Sequence, residues 1–211
     1  MAIHEHNKAL RAKYALTARF YDLLDAPWER LYRRWRPLFL KDVRGDVLEL
    51  GSGTGRNFMH YAPDVNLTAV ELSDTMLAIS QKRARQAACT IALKHDDATH
   101  MTGIPSNHYD WVISTFMCCV MPDALQPLAL AEMQRVLKPG GKFRLLEMIY
   151  SKNPKLRRRQ QRFAPFVEKI YGARFDRDTV RFIQQTPGLA ITQQTFLKDD
   201  TYLLIEGCKT S

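Results

Sequence analysis

Short blocks of β-branched and apolar residues alternate with longer stretches whose apolar positions recur at helical spacing, and glycine or proline marks most boundaries. This pattern predicts strands at Asp46 to Leu50, Leu67 to Glu71, Thr90 to Lys94, Trp111 to Phe116 and Lys142 to Tyr150. Helices are expected between them near Arg56 to Tyr61, Asp74 to Ala87 and Ala124 to Leu137. In the last of these, Leu130, Met133, Val136 and Leu137 fall on one apolar stripe. Lys138-Pro139-Gly140-Gly141 then ends the helix, because proline cannot continue it and glycine accepts a left-handed turn. A regular alternation of strand and helix points to an α/β fold around a parallel sheet.

Two segments stand outside that alternation. Residues 5–44 interleave Tyr14, Phe20, Tyr21, Trp28, Tyr32, Trp35 and Phe39 with Arg30, Arg33, Arg34 and Arg36, the composition of short amphipathic helices packing across a sheet edge. Residues 151–188 carry Lys152, Lys155, Arg157, Arg158, Arg159 and Arg162, then Phe163, Phe166, Val167 and Ile170, with Pro165 expected to bend the helix. The tail, 189–211, offers two more strands, Leu189 to Leu197 and Thr201 to Cys208, around a Lys198-Asp199-Asp200 turn. With a core over 45–150, the 211 residues suit one domain.

Within the core, Val47-Leu48-Glu49-Leu50-Gly51-Ser52-Gly53-Thr54-Gly55 runs from a buried strand into three glycines at alternate positions. Glycine permits the sharp turn and the close approach of a ligand to the backbone. Glu71 follows about twenty residues beyond Gly51, at the end of the next strand, where an acidic side chain accepts hydrogen bonds from ribose hydroxyls in nucleotide-binding βαβ units. The third glycine comes one residue earlier than in the dinucleotide fingerprint, and Pro63 stops the following helix early. Both features argue against a pyrophosphate site. A tight structural turn is the alternative for the glycines, and a solvated strand end for Glu71.

Composition adds limits. No apolar run approaches the roughly 20 residues of a membrane span and the N-terminus lacks an apolar signal core, so a soluble cytoplasmic protein is expected. Cys89, Cys118, Cys119 and Cys208 have no metal-site or disulfide spacing and are expected to be reduced. No metal is expected, since His4 and His6 alone make a weak case. A net charge of +9 favours anionic partners, lipid or nucleic acid, although it also serves solubility. Oligomeric state is not readable.

Four landmarks in order resemble the class I S-adenosylmethionine-dependent methyltransferases: Leu48-Glu49-Leu50-Gly51-Ser52-Gly53-Thr54-Gly55, Val70-Glu71-Leu72-Ser73, Asp97-Ala98, and Arg135-Val136-Leu137-Lys138-Pro139-Gly140-Gly141. The resemblance implies a Rossmann-like, seven-stranded, mostly parallel sheet with helices on both faces, an antiparallel last strand and an N-terminal helical lid. It implies S-adenosyl-L-methionine as cofactor, held by Glu49 and by Gly51, Ser52, Gly53 and Gly55 of the turn. Glu71 and Leu72 would lie at the ribose, Met76 beside the adenine, Asp97 at its amino group and Ala98 next to it. Ser114, at the end of the fourth strand, completes that set. Asp96 competes with Asp97, and core packing with the Met76 assignment.

The acceptor site is expected beyond the carboxyl ends of the strands, on the floor formed by Ser114-Thr115-Phe116-Met117-Cys118-Cys119-Val120-Met121-Pro122. That floor is apolar and lacks the Asn/Asp-Pro-Pro-aromatic signature of nucleic-acid amino methyltransferases, so base methylation is disfavoured. Cys118 and Cys119 read as small hydrophobes rather than nucleophiles. His95, His100 and His108 are candidate proton acceptors or ordinary loop groups, and Glu147 faces either the pocket or a helix. Arg19-Phe20-Tyr21-Asp22-Leu23-Leu24 resembles the small-molecule branch of the superfamily, whose N-terminal helix closes over the cofactor, which makes Tyr21, and with it Tyr14, the catalytic candidates.

The general likeness is to ubiquinone-methylase-like enzymes and bacterial phospholipid N-methyltransferases, through Phe20-Tyr21-Asp22, the core and Arg177-Asp178-Thr179-Val180. It implies a small-molecule or lipid acceptor, with the amine of phosphatidylethanolamine leading. S-methylation of a thiol, C-methylation of a quinone, and a non-catalytic cofactor-binding or RNA-associated module are the alternatives. The basic, aromatic segments suit peripheral attachment to an anionic inner-membrane face.

Overall fold

Four consecutive buried residues, Val47 to Leu50, make the first strand a fully covered element, as a central parallel strand requires. The computed structural model describes Leu24 and residues 26–210. In chain order these form α1 (Ala26–Phe39), β1 (Gly45–Leu50), β2 (Val65–Glu71), α2 (Asp74–Ala84), β3 (Thr90–His95) and β4 (Tyr109–Thr115). There follow α3 (Gln126–Val136), β5 (Leu137–Met148), α4 (Pro154–Tyr171), α5 (Thr179–Gln185), β6 (Leu189–Lys198) and β7 (Tyr202–Lys209). The strands make one seven-stranded sheet in the order β3-β2-β1-β4-β5-β7-β6. Tyr14 and Tyr21 lie outside the described residues, as does most of the segment expected to form a lid.

The chain forms two compact units: one runs up to Ala98 and includes Tyr109–Trp111, and the other comprises Thr99–His108 and Val112 onward. In the first, β1 pairs with β2 and β2 with β3, all parallel, with Val47 opposite Leu67 and Glu71 opposite His95. The alternating exposure of β3 fits its place at the sheet edge. α1 buries Trp35, Arg36 and Phe39. Ser73 caps α2, its hydroxyl accepting from the amide of Met76.

In the second unit β7 runs antiparallel to both β5 and β6. The expected antiparallel last strand is therefore present, and the sheet class is as the motif implies. Gly207 is required by close approach: a Cβ there would meet the carbonyl of Ala190 and the ring of Phe143. Asp178 caps α5 by accepting from the amide of Arg181, at the helix start the sequence marks.

Three elements depart from expectation in type or by three or more residues. The helix expected from Arg56 to Tyr61 is only a 3₁₀ turn, Phe58–His60. Gly55 is left-handed at φ +77°, so the chain uses short i→i+3 bonds there, and the Asn57 and Tyr61 side chains are drawn inward to Glu49. α2 stops at Ala84 rather than Ala87, its end tightened by Gln86 N–H to Arg83 C=O and Ala87 N–H to Ala84 C=O. β5 begins at Leu137 rather than Lys142. The carbonyls of Arg135 and Val136 accept from the amides of Asn107 and His108, and that of Leu137 from Lys209 Nζ, so the chain leaves α3 already extended and Lys138 to Gly141 belong to the strand.

Candidate active site

β1 delivers the chain into a turn that only glycine makes cheaply. Gly51, Gly53 and Gly55 have φ of +64°, +57° and +77°, all left-handed. The turn is fixed from the strand side by Ser52 N–H donating to Val70 C=O at 3.1 Å, and internally by Gly55 N–H to Ser52 C=O at 2.9 Å. The two later glycines differ in what surrounds them. A Cβ on Gly55 would lie 2.5 Å from the Phe58 ring, whereas nothing stands within 4 Å of one on Gly53. Gly55 is needed for packing, and Gly53 borders open space.

Glu71, buried at the end of β2, reaches this turn. Its Oε2 accepts from Gly53 N–H and its Oε1 from Ser73 N–H, each at 2.8 Å, and its own carbonyl accepts from Asp96 N–H at 3.3 Å. The glycine turn, the end of β2 and the segment after β3 thus converge on one residue. Burial raises the Glu71 pKa, opposed by hydrogen bonds from the backbone amides of Ser73, Gly53 and Leu72. Each carboxylate oxygen retains a lone pair for a further donor. Ser52 Oγ is buried with no hydrogen-bond partner, a condition uncommon for a buried hydroxyl.

Glu49 of β1 is the second buried acid of this unit. It is buried, with Oε1 accepting from Asn57 Nδ2 at 2.8 Å and Oε2 from Tyr61 Oη at 2.9 Å. Asn57 Oδ1 in turn accepts from Arg36 of α1, and Arg36 and Arg56 both pair with Glu29, at 2.9 and 3.1 Å. Burial pushes Glu49 up to about 7, against the hydrogen bonds from Tyr61 and Asn57. Its side chain therefore braces the turn from beneath. The sequence marks Arg36 only as one of the basic residues of segment 5–44 and does not single out Asn57; an asparagine just past the last glycine is the available signal.

The remaining sequence candidates of this unit fall as follows. Met76 is buried in the first turn of α2. The carbonyl of Leu72 faces the His95 ring at 2.9 Å, and that ring also approaches Asp74 at 3.2 Å, so His95 ties a loop to a helix start. Asp97 N–H donates to Asp96 Oδ1, turning the Asp96 carboxylate back on its own backbone, and Ala98 is buried.

In the second unit, β4 ends at an unusual turn. Phe116 is left-handed at φ +58° and its amide donates to Leu146 C=O at 2.8 Å. The next two amides, Cys118 and Cys119, each donate at 2.9 Å to the two carboxylate oxygens of Glu147, which is buried on β5. The choice between pocket and helix for Glu147 is thus resolved as neither: it holds the turn. Burial raises Glu147 to about 7, and burial beside that carboxylate holds both thiols well above the ordinary cysteine pKa. Gln126 Nε2 adds a bond to Cys118 C=O, and its Oε1 accepts from Thr179. Ser114 Oγ is the second buried hydroxyl without a partner. Among the described residues, the acid-base groups of this turn are either engaged or protonated, and Met117 packs with Met121, Leu125 and Ala129.

Known proteins resemble this chain in sequence and in fold. Residues 47–141 match the family described as a methyltransferase domain. The chain is 25% identical over 182 residues to the demethylmenaquinone methyltransferase of Listeria monocytogenes, spanning 79% of this chain and 76% of that protein. Among solved structures, an O-methyltransferase family protein from Burkholderia thailandensis superposes with a TM-score of 0.75 at 15% identity, over 94% of this chain and 62% of that one. A SAM-dependent methyltransferase from Methanosarcina mazei gives 0.62 at 16% identity, over 78% and 92%. At such identities the structural likeness speaks for the fold.

Proposed function

This chain is a class I S-adenosylmethionine-dependent methyltransferase, and from that premise we propose that it methylates an amphipathic, lipid-borne acceptor, the amine of phosphatidylethanolamine or its methylated forms. The residues of the first unit suit the cofactor. The unpartnered Ser52 hydroxyl, the open space at Gly53 and the remaining lone pairs of Glu71 are what a bound nucleoside with a polar tail would use. Glu71 would take the ribose hydroxyls, Asp97 the adenine amino group, and Met76 would lie beside the ring. S-adenosylmethionine supplies an electrophilic sulfonium methyl, so the protein's task is to hold the acceptor in line and exclude water. Proximity and orientation can contribute about 7–11 kcal/mol to such a step.

Among the described residues, the observation that supports the amine reading is the turn after β4. Its two thiols are held protonated and the Glu147 carboxylate is bound by backbone amides on both oxygens. An amine that has lost its proton to solvent attacks a methyl group unaided. A quinol ring carbon becomes nucleophilic only when a neighbouring hydroxyl is deprotonated, which asks for a base at the ring. C-methylation of a quinone is the second reading, favoured by the relatives whose name is demethylmenaquinone methyltransferase.

Incubation with methyl-labelled cofactor separates them. Vesicles containing phosphatidylethanolamine, vesicles containing a demethylated quinol, and a small thiol are offered in parallel. Label in the phospholipid is the expected result. Label in the quinol alone transfers the assignment to the second reading, and label in none of the three, from protein that binds the cofactor, overturns both.

A further inference from the structure

Helix α4 presents two faces of opposite character. Leu156, Gln160, Ala164, Val167 and Tyr171, spaced four, four, three and four residues apart, form a half-buried to buried stripe. Gln160 anchors that side: its Oε1 accepts from Ser151 N–H at 2.8 Å, and its Nε2 donates to Ile149 C=O and Thr201 Oγ1, both at 3.1 Å. On the other side Lys155, Arg159, Arg162, Phe166 and Lys169 follow at spacings of four, three, four and three, all exposed. Phe163 adjoins them, and the two phenylalanines are 58% and 54% exposed.

Both ends of the helix are capped by the chain itself. Asn153 caps its N-terminus by accepting from Lys155 N–H at 3.0 Å, Pro154 follows at the first helical position, and Gly172 closes it in the left-handed conformation at φ +75°. Its single acid, Glu168, points to Arg174 at 3.4 Å, on a different side from the basic stripe. Among the described residues, the four cations of the stripe therefore carry an unbalanced positive charge next to two phenylalanines that are more than half exposed.

We propose that this face of α4 docks the protein on an anionic lipid bilayer, the helix lying in the interfacial plane with Phe163 and Phe166 inserted and Lys155, Arg159, Arg162 and Lys169 at the headgroups. Charge complementarity names the partner, and the exposed phenylalanines decide between anionic partners. A basic stripe with exposed apolar side chains beside its cations matches an interfacial helix. A nucleic-acid strand is instead followed by a basic groove in which aromatics stack on bases, and one convex helix face provides no groove. The docking is independent of which acceptor receives the methyl group.

Sedimentation of the whole protein with vesicles tests it. Binding to phosphatidylcholine vesicles containing phosphatidylglycerol, weak binding to phosphatidylcholine alone, and release by added salt are expected. The pair Arg159→Gln and Arg162→Gln should lower partitioning about thirtyfold, from the contribution of each cation near the surface. Phe163→Ser with Phe166→Ser should lower it about tenfold or more. Unchanged thermal unfolding and cofactor affinity show that these surface variants fold. Arg30→Gln with Arg34→Gln, exposed on α1, serves as the control that leaves binding near wild type. Equal binding to both vesicle types, binding that α4 variants do not alter, or loss on the α1 pair alone overturns the proposal. So does retention of single-stranded RNA, rather than vesicles, through the same stripe.

Discussion

Asn57 donates its side-chain amide to the Glu49 carboxylate at 2.8 Å, joining the residues that flank the glycine turn on either side. The turn is thereby closed by a side-chain bond as well as by its backbone, and Arg36 of α1 completes the bracket through Asn57 Oδ1. Asn57→Ala removes a buried donor and a buried acceptor together. It should cost about 1–3 kcal/mol in stability, because Glu49 and Arg36 each lose a partner. Cofactor affinity should fall as well, since the turn loses its brace. Thermal unfolding and calorimetric titration of the same sample measure the two effects, and a variant as stable as wild type would show that the bracket is dispensable.

Gly53 and Gly55 should separate stability from binding. Both are left-handed, so alanine at either position costs about 1–2 kcal/mol of backbone strain. Only Gly55→Ala also drives a methyl group against Phe58, so it should be the less stable of the two. Gly53→Ala puts its methyl into open space and should remain folded while cofactor binding drops sharply. Equal losses of melting temperature in the two variants would contradict this division.

Glu71→Ala should weaken cofactor binding by about ten- to a hundredfold, the worth of a charge-assisted hydrogen bond of roughly 1.5–3 kcal/mol. The variant also strips the Gly53 and Ser73 amides of their acceptor, so it should lose some stability. Titration under conditions where the variant is fully folded isolates the binding term. An unchanged dissociation constant there removes Glu71 from the ribose site.

Buried, protonated thiols predict an order of chemical modification. Cys118 and Cys119 are about 1% exposed and their thiols are held far above the ordinary range, whereas Cys208 is partly exposed. Iodoacetamide on the native protein should label Cys208 first and leave the adjacent pair intact, as read by mass spectrometry of the peptides. Turnover should survive Cys118→Ala with Cys119→Ala, since the backbone amides that hold Glu147 remain in the variant. Rapid alkylation of the pair with parallel loss of activity would restore them as nucleophile candidates.

The sheet was legible in the chain because its signals are local: β-branched runs such as Val47 to Leu50, and a tail hairpin marked by Lys198-Asp199-Asp200. The glycine turn was legible for the same reason, three residues whose shared property is a left-handed φ. What periodicity could not give was side-chain direction. Glu49 stands inside the strand motif as a cofactor candidate, yet its carboxylate turns to Asn57 and Tyr61. Glu147 is one acid in an apolar run, and its partners, the amides of Cys118 and Cys119, are distant in sequence. The short 3₁₀ turn at Phe58 was missed because helical composition from Arg56 onward competes with those inward side chains, and the tertiary bonds win.

Glu49 and Glu147, two of the buried carboxyls, impose a pH dependence on folding. Glu49 and Glu147 are each raised from 4.5 to about 7, chiefly by burial, so the folded state binds protons that the unfolded chain has already released. Where the native state holds more protons, stability falls as pH rises. The loss should therefore run from about pH 4.5 to about pH 7 and level off above it. For each group the shift corresponds to about 3 kcal/mol. Glu49→Gln is the sharper test, because an amide can still accept from Asn57 while its nitrogen donates to Tyr61. It should flatten the profile across that window and gain stability relative to wild type at pH 8. Glu147→Gln should behave differently, since its amide nitrogen would face one of the two cysteine N–H groups, leaving that donor unpaired and costing stability at every pH. Chemical denaturation at several pH values gives both profiles, and a Glu49→Gln curve parallel to wild type would place the Glu49 titration outside this window.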